Sequence, residues 1–82
     1  MRLNPIPLSA RLRLRRRREK LGWPLTRVAE KLNISQEQVS RWETGLRGID
    51  ARELTRWAHM LNLEATITEA KVTLTKREEV TA

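Results

Sequence analysis

The chain has 82 residues with no cysteine, and 17 lysine and arginine residues against 10 aspartate and glutamate residues give it a formal net charge of +7. One small domain is expected, and its core is marginal without help such as oligomerisation, because disulfides and cysteine metal sites are excluded. The positive charge favours a polyanionic partner, nucleic acid before a membrane.

The sequence shows neither a membrane span nor a secretory signal. No apolar run approaches the ~18 residues that a membrane-spanning helix needs. No apolar signal-peptide region follows Met1. We therefore expect a cytoplasmic, nucleoid-associated protein without a membrane partner.

Residues 1–8, MRLNPIPL, hold two prolines within three positions, which excludes the interior of a helix. The sequence therefore predicts a flexible N-terminal arm. Two interpretations of this arm stay open. It is either a frayed terminus without consequence, which is favoured, or an arm that contacts DNA as homeodomain arms do.

A first helix is predicted from Ser9, as its N-cap, to Leu21, with Gly22 as its stop. The apolar face of this helix consists of Ala10, Leu14 and Leu21. Its many arginines are read as a solvated face, with one or two of them, Arg15 for example, contacting DNA phosphates. A nuclear signal or transit peptide is the least favoured interpretation, because the arginines fit inside a helix.

Residues 22–45, GWPLTRVAEKLNISQEQVSRWETG, predict two short helices with a break at residues 33–35. Asn33 suits the end of the first of these, since asparagine tolerates the left-handed conformation. Ser35 with Gln38 forms a capping box that begins the second helix at about residue 36, and Gly45 is its expected C-cap. The apolar positions of the first helix share one face at helical spacing, namely Leu25, Val28, Ala29 and Leu32.

The second helix buries Val39 and Trp42 and leaves a polar outer face. Two helices joined by a tight turn, the second with a hydrogen-bonding outer face, describe a helix-turn-helix. On that face Gln36 can pair with adenine, Arg41 with guanine, and Glu37 can accept from cytosine N4. Ser40 is a weaker candidate for a base or phosphate contact. The expected contacts to the DNA backbone come from Arg47 and from the amides around Gly45.

The order of these features resembles the Cro/C1-type (Xre family) helix-turn-helix repressors, over residues from about 14 to 63. The resemblance is carried by a small residue in the middle of the first helix, an apolar-serine pair at the turn and an aromatic-Glu-x-Gly ending, here Ala29, Ile34-Ser35 and Trp42-Glu43-Thr44-Gly45. It implies a mainly α, lambda-repressor-like domain of four to five helices with a short C-terminal β element. It also implies base contacts from the outer face of the second helix of the motif, the recognition helix, at Gln36, Glu37 and Arg41. It also implies a structural ion pair between Arg18 and Glu43.

After the motif, Asp50 with Glu53 forms another capping box and predicts one more helix. An aromatic-and-leucine stripe at helical spacing is read as core, and here it consists of Leu54, Trp57, Ala58 and Leu61. His59, with no cysteine and no acidic neighbour at ligand spacing, is read as a surface residue, so neither a metal site nor a cofactor is expected.

Residues 63–75 lose the helical period and alternate as a strand, or as two short strands with a bulge or turn near Glu69. A lone strand in a helical domain needs a partner for its backbone, and a second subunit is the expected one. Leu63, Ala65 and Ile67 alternate on one side, and Ala70, Val72 and Leu74 alternate again after a phase change at Glu69. The predicted dimerisation residues are Ala65, Ile67, Val72 and Leu74. Residues 9–62 then form the DNA-binding domain, and residues 76–82 form a frayed tail.

The sequence thus predicts a DNA-binding transcriptional regulator, a repressor that binds a palindromic operator on double-stranded DNA as a homodimer. An antitoxin that binds a toxin protein and regulates its own operon is the alternative, because small Cro/C1-like proteins with an added C-terminal strand resemble antitoxins. An enzyme is not expected, since the chain has one histidine and its three glycines form no phosphate-binding loop. An RNA-binding protein is disfavoured because the usual stacking phenylalanine and tyrosine residues are missing.

Overall fold

The computed structural model describes residues 1–69 and 71–77, in which the chain forms four helices and four short strands. In chain order they are β1 Arg2–Leu3, α1 Leu8–Lys20, α2 Leu25–Leu32, α3 Gln36–Thr44, β2 Ile49–Asp50, α4 Ala51–Met60, β3 Leu63–Thr68 and β4 Lys71–Lys76. The predicted fold class, mainly α with a short C-terminal β element, is confirmed. Ala70 and residues 78–82 of the predicted frayed tail lie outside the described residues.

The first eight residues belong to the folded domain. β1 pairs antiparallel with β2, which places Leu3 opposite Ile49. Leu3 and Ile6 are both buried in the core. This corrects the expectation of a flexible arm over residues 1–8: the two prolines do exclude a helix there, but the apolar side chains beside them reach the core.

Helix α1 differs from its prediction at both ends. Pro7 occupies the position before the helix with no side-chain cap, and Ser9 lies inside the first turn. Leu21 lies beyond the helix and is exposed, so the apolar face is shorter than expected and its buried members are Ala10 and Leu14. Arg17 adds a polar contact instead, because its Nε donates a hydrogen bond to the Leu61 carbonyl at 2.8 Å.

Helices α2 and α3 form the predicted pair with the predicted caps. Asn33 ends α2 in the left-handed conformation, with φ of 57°. Ser35 caps α3, its Oγ accepting a hydrogen bond from the Gln38 amide at 3.1 Å. Gly45 ends α3 with φ of 78°, a value that glycine adopts at little cost. Local sequence signals therefore determine both the turn and the length of the second helix.

The core joins α3 to α4 through two tryptophans. Trp42 of α3 and Trp57 of α4 are buried, and their ring centroids are 5.5 Å apart with the planes tilted by 33°. Asp50 begins α4 by accepting a hydrogen bond from the Arg52 amide at 2.9 Å. Tilted or offset rings are a favourable arrangement for aromatic pairs. The tryptophan pair therefore fixes α3 from its inner side.

The C-terminal segment is an antiparallel hairpin and not a lone strand. β3 and β4 pair in register from Leu63 opposite Lys76 to Thr68 opposite Lys71. The backbone groups expected to need a second subunit thus find partners within the chain, which corrects the premise of the dimer prediction. Half-buried apolar side chains on one face pack against the core, namely Ala65, Ile67, Val72 and Leu74.

No helix in the part of the chain that the structure describes is long and apolar enough to cross a membrane. In residues 1–69 and 71–77, no group of three or more histidine, aspartate or glutamate side chains could hold a metal ion.

Candidate nucleic-acid interface

The outer face of α3 carries the side chains that the sequence proposed as base readers. Gln36, Glu37 and Arg41 are exposed, and Ser40 is half-buried beside them. The opposite face of the helix is held in the core, with Val39 and Trp42 buried. Because neighbours on a helix recur every three or four residues, the structure brings these four polar side chains onto one solvent-facing surface.

Two of the proposed readers are paired with each other. Arg41 Nη2 donates a hydrogen bond to Glu37 Oε1, one helical turn away. Both side chains remain well exposed, Arg41 at 47% and Glu37 at 70%. The pair therefore presents a donor and an acceptor group together at the surface, the combination that a G·C base pair shows in the major groove.

A largely buried ion pair holds the end of α3 against α1. Arg18 Nε and Nη2 donate hydrogen bonds to the two carboxylate oxygens of Glu43, at 2.7 and 3.0 Å. Arg18 Nη1 also donates to the Trp23 carbonyl at 2.9 Å. The hydrogen bond to Glu43 raises the pKa of Arg18 above its usual value, although burial acts in the opposite direction. The structure thus contains the contact that the family resemblance implies, in a two-pronged geometry that only arginine provides.

Gly45 meets α1 at a second place, which sequence reasoning missed. A Cβ atom on Gly45 would come within 2.6 Å of Arg11 Cζ, so the guanidinium lies directly against this glycine. Arg11 Nε donates a hydrogen bond to the Ile6 carbonyl at 2.9 Å, which fixes the side chain in that position. The available signal was spacing, since Arg11 precedes Arg18 by two helical turns and therefore shares its side of α1.

The proposed backbone-contact residues lie at the border of this surface. Arg47 is exposed in the loop that follows Gly45. Arg15 lies between Arg11 and Arg18 at helical spacing, on the side of α1 that contacts α3, and it is exposed. Within α1, Arg15 forms an ion pair with Glu19, with Nε and Oε1 3.5 Å apart. Exposed arginines beside the polar face of α3 suit phosphate contacts, which position a protein on DNA without reading its sequence.

This arrangement defines a helix-turn-helix DNA-binding domain. It combines a tight turn between two helices, a second helix packed against the core and α1, and a polar outer face on that helix. Comparison with protein families matches residues 14–67 to the helix-turn-helix family of the Cro/C1 type. The chain belongs to this family, and it is a DNA-binding regulatory protein of lambda-repressor-like fold. This is a regulatory family and not a family of enzymes. The same comparisons found no similar curated protein and no similar solved structure.

Proposed function

We propose that the protein is a sequence-specific transcriptional repressor that places α3 in the major groove of operator DNA. The observation that carries this proposal is the exposed row of Gln36, Glu37, Ser40 and Arg41 on a helix whose other face is buried. The major groove displays a distinct donor and acceptor pattern for each base pair, and these side chains supply matching groups. A regulator of this kind acts where chromosomal DNA is, in the cytoplasm at the nucleoid.

In-vitro selection of bound duplexes with the purified full chain tests the proposal. Arg41→Ala is expected to cost about 1–3 kcal/mol on the selected site and to relax discrimination at one base position, because one bidentate base contact is lost. Arg15→Ala is expected to weaken all sequences alike and to flatten the salt dependence. Equal losses of Arg41→Ala on selected and random duplexes would contradict the assignment of base readers.

We further propose that the repressor is a homodimer on a palindromic operator and that the hairpin forms its interface. Support comes from the half-buried apolar face of the hairpin, which borders an open groove of about 260 Å³ against α1. The groove is lined by Ser9, Ala10, Arg13, Val72, Thr73 and Leu74. A two-fold axis would set two recognition helices about 34 Å apart, one turn of DNA, and would combine two weak half-sites.

Truncation after Asn62 is not a clean test of this interface, because it would remove Leu63, which is fully buried. A charged substitution on the apolar face is sharper. Ile67→Lys is expected to shift the protein towards the monomer in sedimentation and to weaken binding to palindromic DNA. Thr66→Lys places the same charge on the exposed face of the same strand and is the matched control. An unchanged dimer in Ile67→Lys would place the interface elsewhere.

The alternative, an antitoxin that binds a toxin protein, draws on the same groove. An apolar strand face beside Arg13 suits a partner surface that combines apolar and acidic groups. The neighbouring reading frame distinguishes the two proposals, since an adjacent small toxin gene favours the antitoxin. Co-purification of the two gene products in a fixed stoichiometry would then establish the complex.

A further inference from the structure

The acidic member of the α3 surface presents an electrostatic problem for a DNA-binding protein. DNA carries one negative charge per about 1.7 Å of its axis, so a carboxylate that faces it is repelled unless it is paired. Glu43, the other acidic residue of α3, points inward to Arg18. Glu37 is 70% exposed and its ion-pair partner is Arg41, the strongest candidate for reading guanine. The chain therefore places a negative charge beside its own base reader.

This pairing changes what Arg41 can do on DNA of any sequence. A free arginine at this position would bind phosphates and would tighten binding to all DNA. An arginine whose charge is matched by Glu37 gains little from phosphates. It gains from guanine O6 and N7, which accept its two donors in a fixed geometry.

The carboxylate needs an amino donor, and the major groove offers two, cytosine N4 and adenine N6. On the G·C edge the cytosine amino group lies next to guanine O6, so it stands beside the two acceptors that match an arginine. Residues one helical turn apart are separated by about 5.4 Å along the helix, so they span the edge of one base pair or of two neighbouring pairs. A guanine beside a cytosine amino group thus satisfies both members of the ion pair together. An A·T pair offers Glu37 the adenine amino group, but its N7 and O4 acceptors lie on either side of that group and do not match both donors of Arg41.

We propose that Glu37 is a specificity-determining residue, which suppresses binding to non-cognate DNA and admits Arg41 only where a guanine and a cytosine amino group occur together. The proposal rests on the proposed function, since it needs α3 to lie in the major groove. It predicts a property beyond base reading, namely that the acidic residue raises the ratio of specific to random binding at the expense of affinity.

A purely structural role is the competing explanation. An acidic residue in the first turn of a helix and an ion pair four residues apart both stabilise the helix. The chain provides a matched control for this effect. Arg15 and Glu19 on α1 form an ion pair of the same spacing, with 56% and 55% exposure, and neither residue belongs to the base-reading row of α3. Glu19→Gln removes the same charge from a comparable pair.

The experiment compares wild type, Glu37→Gln and Glu19→Gln on the selected duplex and on a random-sequence duplex of equal length, at one salt concentration. Glu37→Gln is expected to tighten random binding and to lower the specificity ratio by roughly tenfold, within the range of one bidentate base contact. Glu19→Gln is expected to change both duplexes by the same factor. Equal specificity ratios in the two variants would overturn the proposal.

Two further arms separate base reading from charge and stability. Replacing the contacted cytosine by 2-pyrimidinone, which lacks the amino group, is expected to weaken wild type more than Glu37→Gln, because a carboxylate accepts a stronger hydrogen bond than a neutral amide oxygen. Glu37→Asp keeps the charge but shortens the reach, so it is expected to keep random binding low and to lose the preference for cytosine. A Glu37→Asp protein that binds random DNA as tightly as Glu37→Gln would contradict the charge argument. If selection yields no consensus sequence for wild type, the proposed function itself is refuted.

Discussion

Removing Glu43 should destabilise the domain strongly, because its partner Arg18 would remain largely buried. The two carboxylate oxygens accept hydrogen bonds from Arg18 at 2.7 and 3.0 Å, and the side chains of Arg18 and Glu43 are only 13% and 7% exposed. Breaking a buried ion pair on one side costs about 3–5 kcal/mol. The loss of stability in Glu43→Ala should lie near the lower end of this range, at about 3 kcal/mol, since Arg18 keeps its hydrogen bond to the Trp23 carbonyl.

That loss is large for a domain of this size. A domain of 82 residues is expected to have a total stability of about 4–12 kcal/mol. Each kcal/mol shifts the melting temperature by about 4–8 °C at this length, so Glu43→Ala should melt about 12–24 °C lower than wild type. Glu19→Ala is the control: its pair with Arg15 is more than half exposed, and its loss should cost less than about 0.5 kcal/mol.

Urea unfolding, followed by the fluorescence of the buried Trp42 and Trp57, provides the measurement. A double-mutant cycle of Glu43→Ala and Arg18→Ala isolates the pair term, which should exceed about 1 kcal/mol. Losses that add within about 0.5 kcal/mol would refute the pairing as a source of stability.

The pair should not make stability depend on pH near neutrality. Because the pKa of Arg18 is raised in the folded state, its contribution is complete below the unfolded pKa and is lost only as pH rises through the folded pKa. Both values lie far above neutral pH, so the pair term should be unchanged between about pH 6 and pH 9.

Two further predictions concern the segments that sequence reasoning placed incorrectly or missed. Gly45→Ala should destabilise the domain by about 1–2 kcal/mol for its left-handed backbone. The total loss should exceed that of Gly22→Ala, because a Cβ on Gly45 displaces Arg11 whereas Gly22 has open space. Equal melting temperatures of the two variants would show that the Arg11 contact contributes nothing. Ile6→Ala should cost about 2–5 kcal/mol because Ile6 is fully buried, while Leu8→Ala, at a 58% exposed side chain, should stay within about 0.5 kcal/mol of wild type. An Ile6→Ala protein as stable as wild type would instead support the prediction of a flexible arm over residues 1–8.

The parts of the fold that the sequence predicted are those with local causes. The end of α2 at Asn33, the cap of α3 at Ser35 and the stop at Gly45 each depend on side chains within four residues of the place they determine. Helical periodicity likewise assigned Trp42 and Trp57 to the core before their contact was known. Such signals do not depend on where the rest of the chain lies.

The parts that were missed depend on contacts between distant residues. β1 looks like a loop until β2, 46 residues later, provides its partner at Ile49. The alternation in residues 63–75 predicts strands but not the identity of the partner, so a second subunit was expected where the chain supplies its own hairpin partner. Arg11 resembled every other arginine of its run, because only the packing of α1 against α3 distinguishes it.

These distant contacts meet at one end of the recognition helix. Residues 1–13 precede the family match at 14–67, yet they contact the loop that follows α3 and the start of α4. Arg11 lies against Gly45, the carbonyl of Leu3 approaches Gly48, and the Ala51 amide donates to the Met1 carbonyl at 2.8 Å. Glu43 and Gly45 are thus held by α1, and the residues that follow them are held by the segment before α1. The direction of α3 therefore depends in part on residues outside the motif. A substitution that loosens this segment should therefore weaken operator binding even though the base-reading residues are unchanged.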